Sequence, residues 1–496
     1  MTTPELVTET IGRQAGRGLR WSLLGTLAAK VGSLAMGLVL ARLLAPEDFG
    51  TFAIALAATA ILMRINDVGL IAATVQWRGR LEDMAPTAST LAAIFGALVY
   101  GLFWFAAPTF SAASGDPTAA PVVRLLSLII VIDGITAVRS AVLMRTFKQD
   151  KLTMANAAGL VVNAAVSIPL AMDGAGAYSF AWGQLAGAFV TGILVFGYGH
   201  VPVRLGFDRA IARKLMKYGV PLAASLFVEA ILLNVGFTIV GSVTGSAALG
   251  FFLLAFNVSS WAQTTLGMAI RYVSVAGFSR LSEHDDKALS NGVQRSMPLL
   301  VTVVAPIVTL TSVLSGPLIV LLYGSRWEPA APVLRVLVFL TLVRMVTGLA
   351  GDALIGAGAT RATLWVNLGW AVALVPTLWW ATEVAGIEGA AYAQSGVGLL
   401  VAVPLAALAL HRIGVDVAPI GPALVRPVLA AILAGAVALL VARFTGPHSF
   451  VRLTVAGTAG LLVYLPAAVS MNQLRHWLAA LRRTTASTPT PAPVVE

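Results

Sequence analysis

The sequence predicts an all-α polytopic membrane protein with about 14 transmembrane helices. Two six-helix lobes related by an internal repeat are expected, with two extra helices and both termini cytoplasmic. Three observations predict this class: scarce charge, long apolar segments, and basic residues concentrated on one side of them. Only 11% of the 496 residues are charged and 58% are hydrophobic, whereas about 25% of a soluble domain is charged. This composition excludes a soluble enzyme and a disordered chain, and the absence of cysteine excludes a disulfide scaffold.

Fourteen apolar segments are long enough to cross the roughly 30 Å hydrocarbon core of a bilayer. Each is expected to be helical, because a helix satisfies its backbone hydrogen bonds within one segment. The first is too long for a cleaved signal peptide and is expected to be retained. In chain order, the segments are centred near Val31, Ile61, Leu98, Ile132, Val162, Ala188, Ile231, Ser259, Pro306, Arg344, Val372, Leu400, Ala434 and Leu461.

Lysine and arginine are distributed unevenly between the two predicted sides. With the N-terminus inside, the cytoplasmic segments hold 23 of these residues, and the outer loops hold only Arg42, Arg326, Arg443 and Arg452. Basic residues accumulate in cytoplasmic loops, so this count predicts the orientation. It also accounts for the net charge of +11 without a nucleic-acid partner.

The two halves of the sequence repeat. Three shifts of 200 to about 213 residues align Gly50-Thr51-Phe52 with Gly250-Phe251-Phe252, Asn156 with Asn367, and Gly176-Ala177 with Gly389-Ala390. These near-equal shifts predict duplication of a six-helix unit, and such repeats place a substrate site near the membrane midplane. The predicted divisions are an N-terminal lobe at 1–213, a C-terminal lobe at 214–413, two further spans at 414–483 and a disordered tail at 484–496.

Ionisable residues inside the predicted spans are candidates for function, because each costs about 2.5–3.5 kcal/mol to insert. The basic ones are Lys30, Arg64, Arg124, Arg139, Arg335 and Arg344, and the acidic ones are Asp67, Asp133, Glu229 and Asp352. The candidates for lining a substrate cavity are Lys30, Arg64, Asp133, Arg139, Glu229 and Arg344, together with Asn156 and Asn367.

The repeat places Lys30 beside the equivalent of Glu229, and Asp133 at the equivalent of Arg344. Opposite charges at equivalent depths favour pairs that form when the lobes close and separate when they open. The alternative is pairing within one lobe, such as Arg64 with Asp67 on one helix turn. Lys30 and Arg344 have no such neighbour in sequence, so they predict fixed positive charge that suits an anionic headgroup.

Uncharged polar residues within the spans offer hydrogen bonds to a carbohydrate, whose hydroxyls are costly to expose to hydrocarbon. The alternative is that they hold helices together, at about 0.6 kcal/mol each. These residues are Asn156, Asn163, Gln184, Asn234, Asn257, Gln263, Asn367 and Gln394. The spacing of Gly183 and Gly187 is typical of close helix packing. The five histidines lie in loops or flanks, so no catalytic centre, metal or cofactor is expected.

Three segments resemble those of a known family. Leu40-Ala41-Arg42-Leu43-Leu44-Ala45-Pro46-Glu47-Asp48-Phe49-Gly50 and Asp67-Val68-Gly69-Leu70 resemble the signature of bacterial Wzx-type polysaccharide flippases. The segment 322–335, LYGSRWEPAAPVLR, is similar to the loop before that family's tenth span. The resemblance covers nearly the whole chain and implies membership of the multidrug/oligosaccharidyl-lipid/polysaccharide exporter superfamily.

The resemblance implies a bacterial inner-membrane protein that is not an enzyme. It implies transport of an undecaprenyl-diphosphate-linked oligosaccharide, such as an O-antigen, exopolysaccharide or capsule repeat unit, by alternating access. The implied partners are this anionic substrate, membrane lipids and polysaccharide polymerase or export machinery. The alternatives are a drug exporter of the same superfamily, which needs acidic midplane residues, and a membrane polymerase or glycosyltransferase, which needs a large outer loop.

Overall fold

A computed structural model describes residues 25, 28–66, 81–146, 148–199, 206–284, 286–446 and 448–468. These residues are predominantly helical and contain no strand, which confirms the predicted all-α class. The helices are α1 (28–43), α2 (Pro46–Asn66), α3 (Leu81–Ala113), α4 (Ala120–Ser127), α5 (Ile129–Arg145), α6 (Gln149–Met172), α7 (Ala177–Tyr198), α8 (Arg209–His284), α9 (Asp286–Val313), α10 (Ser315–Tyr323), α11 (Ala330–Gly356), α12 (Thr360–Val397), α13 (Val403–Arg412), α14 (Ile420–Phe444) and α15 (Ser449–Ala468). A π-helical segment, Gly398–Ala402, joins α12 to α13.

Eleven helical stretches in the described part of the chain are long and apolar enough to cross a membrane. Two of the helical runs contain a break: α8 at Gly245, where φ is 81°, and α12 at Gly386, where φ is 58°. Glycine adopts positive φ without the steric penalty of a Cβ atom. Each of these two runs therefore consists of two helices joined at a tight glycine turn.

Two pairs of glycines, about 210 residues apart, share backbone angles. Gly176 has φ 55° and ψ −136°, and Gly386 has φ 58° and ψ −142°. Gly115 and Gly324 also share positive φ, at 88° and 98°. Gly386 thus has the backbone conformation of Gly176 and lies three residues before Gly389, with which the sequence shift aligns Gly176.

The contacts between residues divide the chain into two compact units, Met1–Ala255 with Leu374–Ala393 and Phe256–Ala373 with Gln394–Glu496. In the first unit, α6 and α7 approach through Gly159, Gly183 and Gly187. A Cβ atom built on Gly187 would lie 2.6 Å from the Gly159 oxygen, and one on Gly159 would lie 2.7 Å from the Gly187 oxygen. The predicted packing role of Gly183 and Gly187 is confirmed.

Two prolines leave a backbone carbonyl without its usual helical donor, four residues earlier. Pro108 frees the oxygen of Trp104, which accepts a 2.9 Å hydrogen bond from Arg124 Nε. The Arg124 guanidinium also lies 4.7 Å from the centre of the Trp104 ring. In the second unit, Pro306 frees the oxygen of Thr302, and the Tyr464 hydroxyl donates to it at 2.7 Å. Side chains from neighbouring helices thus replace the missing backbone donors.

Tyr464→Phe is expected to destabilise the second unit, because the Thr302 carbonyl loses its donor inside the helix bundle. A loss of about 1–2 kcal/mol is expected for a hydrogen bond in this setting. In detergent, we expect this to lower Tm by about 2–4 °C. Tyr392→Phe is the matched control, because Tyr392 is 61% exposed. An equal effect of both substitutions would contradict this assignment.

Candidate functional site

Asp133 lies at a polar junction of three helices in the first unit. Asn66, the last residue of α2, donates from Nδ2 to Asp133 Oδ2 at 3.0 Å and to the Ile130 oxygen at 3.3 Å. Asn66 is buried and Asp133 is half-buried. A Cβ atom on Gly96 of α3 would lie 3.1 Å from both Asn66 Oδ1 and the Ile130 oxygen. Glycine at position 96 therefore allows α3 to approach this junction.

Arg139 is buried between α5 and α7. The Arg139 guanidinium lies 3.6 Å from the centre of the Phe196 ring, which is a cation–π geometry. A Cβ atom on Gly199 would lie 3.0 Å from Arg139 Cβ and 3.1 Å from Arg139 Cγ. The side chain is 5% exposed, so it fills the space between these helices and presents little surface to a ligand.

Lys30 is exposed on α1. The opposite side of this helix packs on α6, because a Cβ atom on Gly32 would lie 2.6 Å from Leu160 Cδ2. At 3.6 residues per turn, Lys30 is about 160° around the helix from Gly32. The ammonium group is therefore directed away from the helix that supports α1.

Arg344 lies near the middle of α11, in the second unit, and is half-buried. The Arg344 guanidinium lies 5.1 Å from the centre of the Phe256 ring on α8. Among the described residues, no carboxylate forms an ion pair with it. The side chain is thus a central cation supported by an aromatic ring and still able to donate hydrogen bonds.

The helix that carries Arg344 is held on two sides. Toward α8, the Thr341 hydroxyl donates to the Ser259 oxygen. Toward α12 and the π-helical segment, the Ser395 hydroxyl donates to the Val336 oxygen at 3.0 Å, and a Cβ atom on Gly398 would lie 2.9 Å from Val343 Cγ1. Irregular π turns occur frequently at functional sites. Here the π-helical segment packs one residue away from Arg344.

The asparagines of the predicted site have different surroundings. Asn156 and Asn367, which a shift of 211 residues aligns in the sequence, are both exposed. Asn163 instead accepts a 2.9 Å hydrogen bond from Ser167 beside Gly183, so it contributes to helix packing. The helix-packing alternative therefore holds for Asn163, whereas the side chains of Asn156 and Asn367 are exposed.

Two candidates fall outside the described side chains. Arg64 lies on α2 and Glu229 on α8, but their side chains are not among those that the structure describes, and Asp67 lies in the undescribed segment that follows α2. The proposed pairs of Arg64 with Asp67 and of Lys30 with Glu229 stay predictions.

The sequence did not predict Asn66, Phe196 and Phe256 as neighbours of the candidate residues. The position of Asn66 immediately before the Asp67-Val68-Gly69-Leu70 motif is the one signal that pointed to it.

The long apolar helices, with few charged residues among them, define a multi-pass membrane protein. The model of the polysaccharide biosynthesis protein family matches residues 39–332. The chain belongs to this family.

Known relatives are similar over most of the chain. The succinoglycan biosynthesis transport protein ExoT of Rhizobium meliloti (strain 1021) is 26% identical over 343 residues, covering 68% of this chain and 67% of ExoT. The lipopolysaccharide biosynthesis protein WzxC of Escherichia coli (strain K12) is 21% identical over 375 residues, covering 75% and 76% of the two chains. The resemblance to Wzx-type proteins and the bacterial inner-membrane location are confirmed.

The fold is similar to that of a solved flippase. The structure of the lipid II flippase MurJ in an inward closed conformation aligns with a TM-score of 0.76 and 13% identity, covering 94% of this chain and 100% of that one. The similarity extends over nearly all of the described helices.

Proposed function

We propose that this protein is a flippase for an undecaprenyl-diphosphate-linked oligosaccharide. It moves this substrate from the cytoplasmic to the outer leaflet by exposing the headgroup site alternately to the two sides of the membrane. The observation that carries the proposal is Arg344, a half-buried cation near the middle of a long apolar helix and without a carboxylate partner among the described residues. Such a charge is costly in a membrane, and residues of this kind typically serve an ion or a substrate.

A diphosphate suits Arg344 by its charge and by its hydrogen-bond acceptors. Guanidinium donates paired hydrogen bonds to phosphate oxygens, and such charge-assisted bonds are roughly twice as strong as neutral ones. Phe256 supports the Arg344 side chain from one face. Lys30, on α1 of the first unit, is a separate exposed cation.

The oligosaccharide needs hydrogen bonds along its path, because its hydroxyls are costly to bare to hydrocarbon. Asn156 and Asn367 are exposed at equivalent positions of the two repeats, and we assign them to this path.

The proposed topology has fourteen membrane crossings. This number results when the helical runs α8 and α12 are each divided in two, at Gly245 and Gly386, and α1 is added to the eleven candidate spans. ExoT, named as a succinoglycan biosynthesis transport protein, and WzxC, named as a lipopolysaccharide biosynthesis protein, support the proposed substrate class.

Deletion of the gene is expected to leave lipid-linked oligosaccharide on the inner leaflet, because its synthesis continues while export stops. The measurement is extraction of lipid-linked saccharides, combined with protection of the glycan from an impermeant enzyme in spheroplasts. Complementation with the intact gene is the control and should restore surface polymer. If no lipid-linked saccharide accumulates, the flippase proposal is wrong. If the deletion strain instead becomes more sensitive to toxic small cations, a drug exporter is favoured.

A further inference from the structure

A short sequence motif occurs twice in the chain, once in each unit. The chain reads RLGFDRA at 204–210, across the start of α8, and RIGVDVA at 412–418, between α13 and α14. Four of the seven residues are identical in the two copies, namely the arginine, the glycine, the aspartate and the alanine. The shift of 208 residues falls within the range of shifts that predicts the internal repeat.

The aspartate makes the same two hydrogen bonds in both copies. The Asp208 main-chain N–H donates to Thr87 Oγ1 of α3 at 3.0 Å, and Asp208 Oδ1 accepts from the N–H two residues later at 2.7 Å. The Asp416 main-chain N–H donates to Ser290 Oγ of α9 at 3.0 Å, and Asp416 Oδ1 accepts from the N–H two residues later at 3.1 Å. In each unit the motif therefore docks the chain on a hydroxyl group of a neighbouring helix.

The residues that follow the motif differ in charge between the two copies. None of the nine residues after Asp416 is a lysine or an arginine. Of the nine residues after Asp208, four are basic: Arg209, Arg213, Lys214 and Lys217. Since the second copy docks without such residues, docking does not require them. The basic residues at the start of α8 therefore need another explanation.

The start of α8 has one packed side and one exposed side. Leu215 is buried and Ile211 partly buried in an apolar cluster with α3 and α5. Arg209 and Arg213 lie about 160° around the helix from these two residues, and both are exposed, as is Lys214. Among the described residues, no carboxylate forms an ion pair with these three cations. Their charges thus face outward and are not neutralised by neighbouring side chains.

Two large apolar side chains are exposed beside the basic ones. Phe207, just before the helix, is 66% exposed, and Met216 is 48% exposed. On the helix, Met216 lies within about 60° of Arg213. Basic residues mixed with large apolar side chains, directly before a membrane span, are typical of segments that bind an anionic membrane surface.

We propose that the start of α8, residues 207–216, binds phospholipids with anionic headgroups in the inner leaflet. The segment lies on the side that the charge distribution predicts to be cytoplasmic, and an apolar run follows it directly. The cations pair with lipid phosphates, while Phe207 and Met216 enter the headgroup region. The occupant is phospholipid and not the diphosphate of the cargo, because Arg209 and Lys214 are spread over about 140° of an exposed helix surface.

A fluorescent reporter on α8 tests this site. The chain has no cysteine, so Met216→Cys introduces a single attachment point for a fluorophore. The purified full chain is reconstituted in vesicles of phosphatidylcholine and phosphatidylglycerol, with one of the two lipids brominated on its acyl chains to quench a nearby fluorophore. We expect a preference of at least about tenfold for phosphatidylglycerol, because each basic residue near an anionic surface contributes about fivefold. These vesicles contain no lipid-linked saccharide, so the cargo cannot cause this preference.

Neutralising the exposed cations is expected to reduce the preference to less than about twofold. The variant combines Arg209→Gln, Arg213→Gln and Lys214→Gln. The matched control removes the same number of exposed cations from other positions that are predicted to be cytoplasmic, with Arg295→Gln, Arg361→Gln and Arg412→Gln. This control should keep the full preference. An unchanged preference in the first variant, or an equal loss in the control, overturns the proposal.

Two further measurements separate charge from packing. Arg209→Lys combined with Arg213→Lys keeps the charge, so the preference should be retained, and its loss would overturn the proposal. Raising NaCl from about 0.05 M to about 0.5 M should reduce the preference at least about threefold, because salt screens exposed charges. A preference that does not respond to salt overturns the proposal as well.

Binding at this surface does not depend on the cargo, so the lipid site and the flippase function can fail separately. If phosphatidylglycerol is preferred but deletion of the gene accumulates no lipid-linked saccharide, the lipid site stands and the flippase function is wrong. If saccharide accumulates but the reporter shows no preference, the function stands and the lipid site is wrong.

Discussion

Arg344→Gln is expected to reduce transport about 10- to 100-fold, which corresponds to the loss of about 1.5–3 kcal/mol from charge-assisted hydrogen bonds to the diphosphate. Arg344→Lys keeps the charge but loses the planar, paired donors, so an intermediate rate is expected. The measurement is the rate at which surface polymer appears after induction, normalised to the amount of protein in the membrane. Accumulation of lipid-linked saccharide on the inner leaflet is the second readout.

Arg335→Gln is the matched control, because Arg335 lies on the same helix and is exposed near the start of α11. Phe256→Leu separates packing from charge, since it removes the ring beside Arg344 and keeps the guanidinium. If Phe256→Leu and Arg344→Gln reduce transport equally, Arg344 acts through helix packing. If the Arg344→Gln variant transports at the wild-type rate when it is equally abundant in the membrane, Arg344 does not bind the substrate.

Gly187→Val is expected to prevent accumulation of the folded protein. The side chain would enter the space that the Gly159 oxygen and Asn163 Cβ occupy, at 2.6 Å and 3.1 Å from its Cβ atom. Forcing α6 and α7 apart removes their close packing along the whole contact. A cost of about 1–3 kcal/mol is usual for overpacking, and we expect Gly187→Ala to fall in this range and the bulkier valine to exceed it. Membrane abundance and Tm in detergent are the measurements.

Gly197→Ala is the control on the same helix, because nothing lies within 4 Å of a Cβ atom at that position. There we expect unchanged or slightly raised stability, since alanine favours the helix more than glycine does. Equal abundance of Gly187→Ala and Gly197→Ala would show that the α6–α7 contact yields easily and would contradict the expected cost.

The fold class was predictable because hydrophobicity and length decide whether a helix can span a bilayer. The packing role of Gly183 was equally predictable, since small residues four positions apart allow two helices to approach closely. The capping of the Trp104 carbonyl was not readable from sequence. Arg124 appeared only as a charge near a span end, and its role depends on a proline sixteen residues earlier on another helix.

The candidate site was predicted less completely than the fold. The sequence identified Arg344 and Asp133 as unusual, but it did not show what each one meets. Asn66 was overlooked because a single asparagine at a span end is ordinary, and its hydrogen bond to Asp133 joins residues 67 positions apart. Arg139 was predicted with the others, although Phe196 and Gly199 enclose it. A sequence shows that a charge within a span is energetically unfavourable, and tertiary contacts determine which groups stabilise it.

The contact between Gly159 and Gly187, where α6 meets α7, is made by main-chain oxygens, which every amino acid carries in the same form. Its fit therefore depends on the absence of side chains at these two positions and little on the chemistry of neighbouring ones. Residues elsewhere on the two helices can then change by point substitution while this contact is retained. An engineered change of cargo need not alter it.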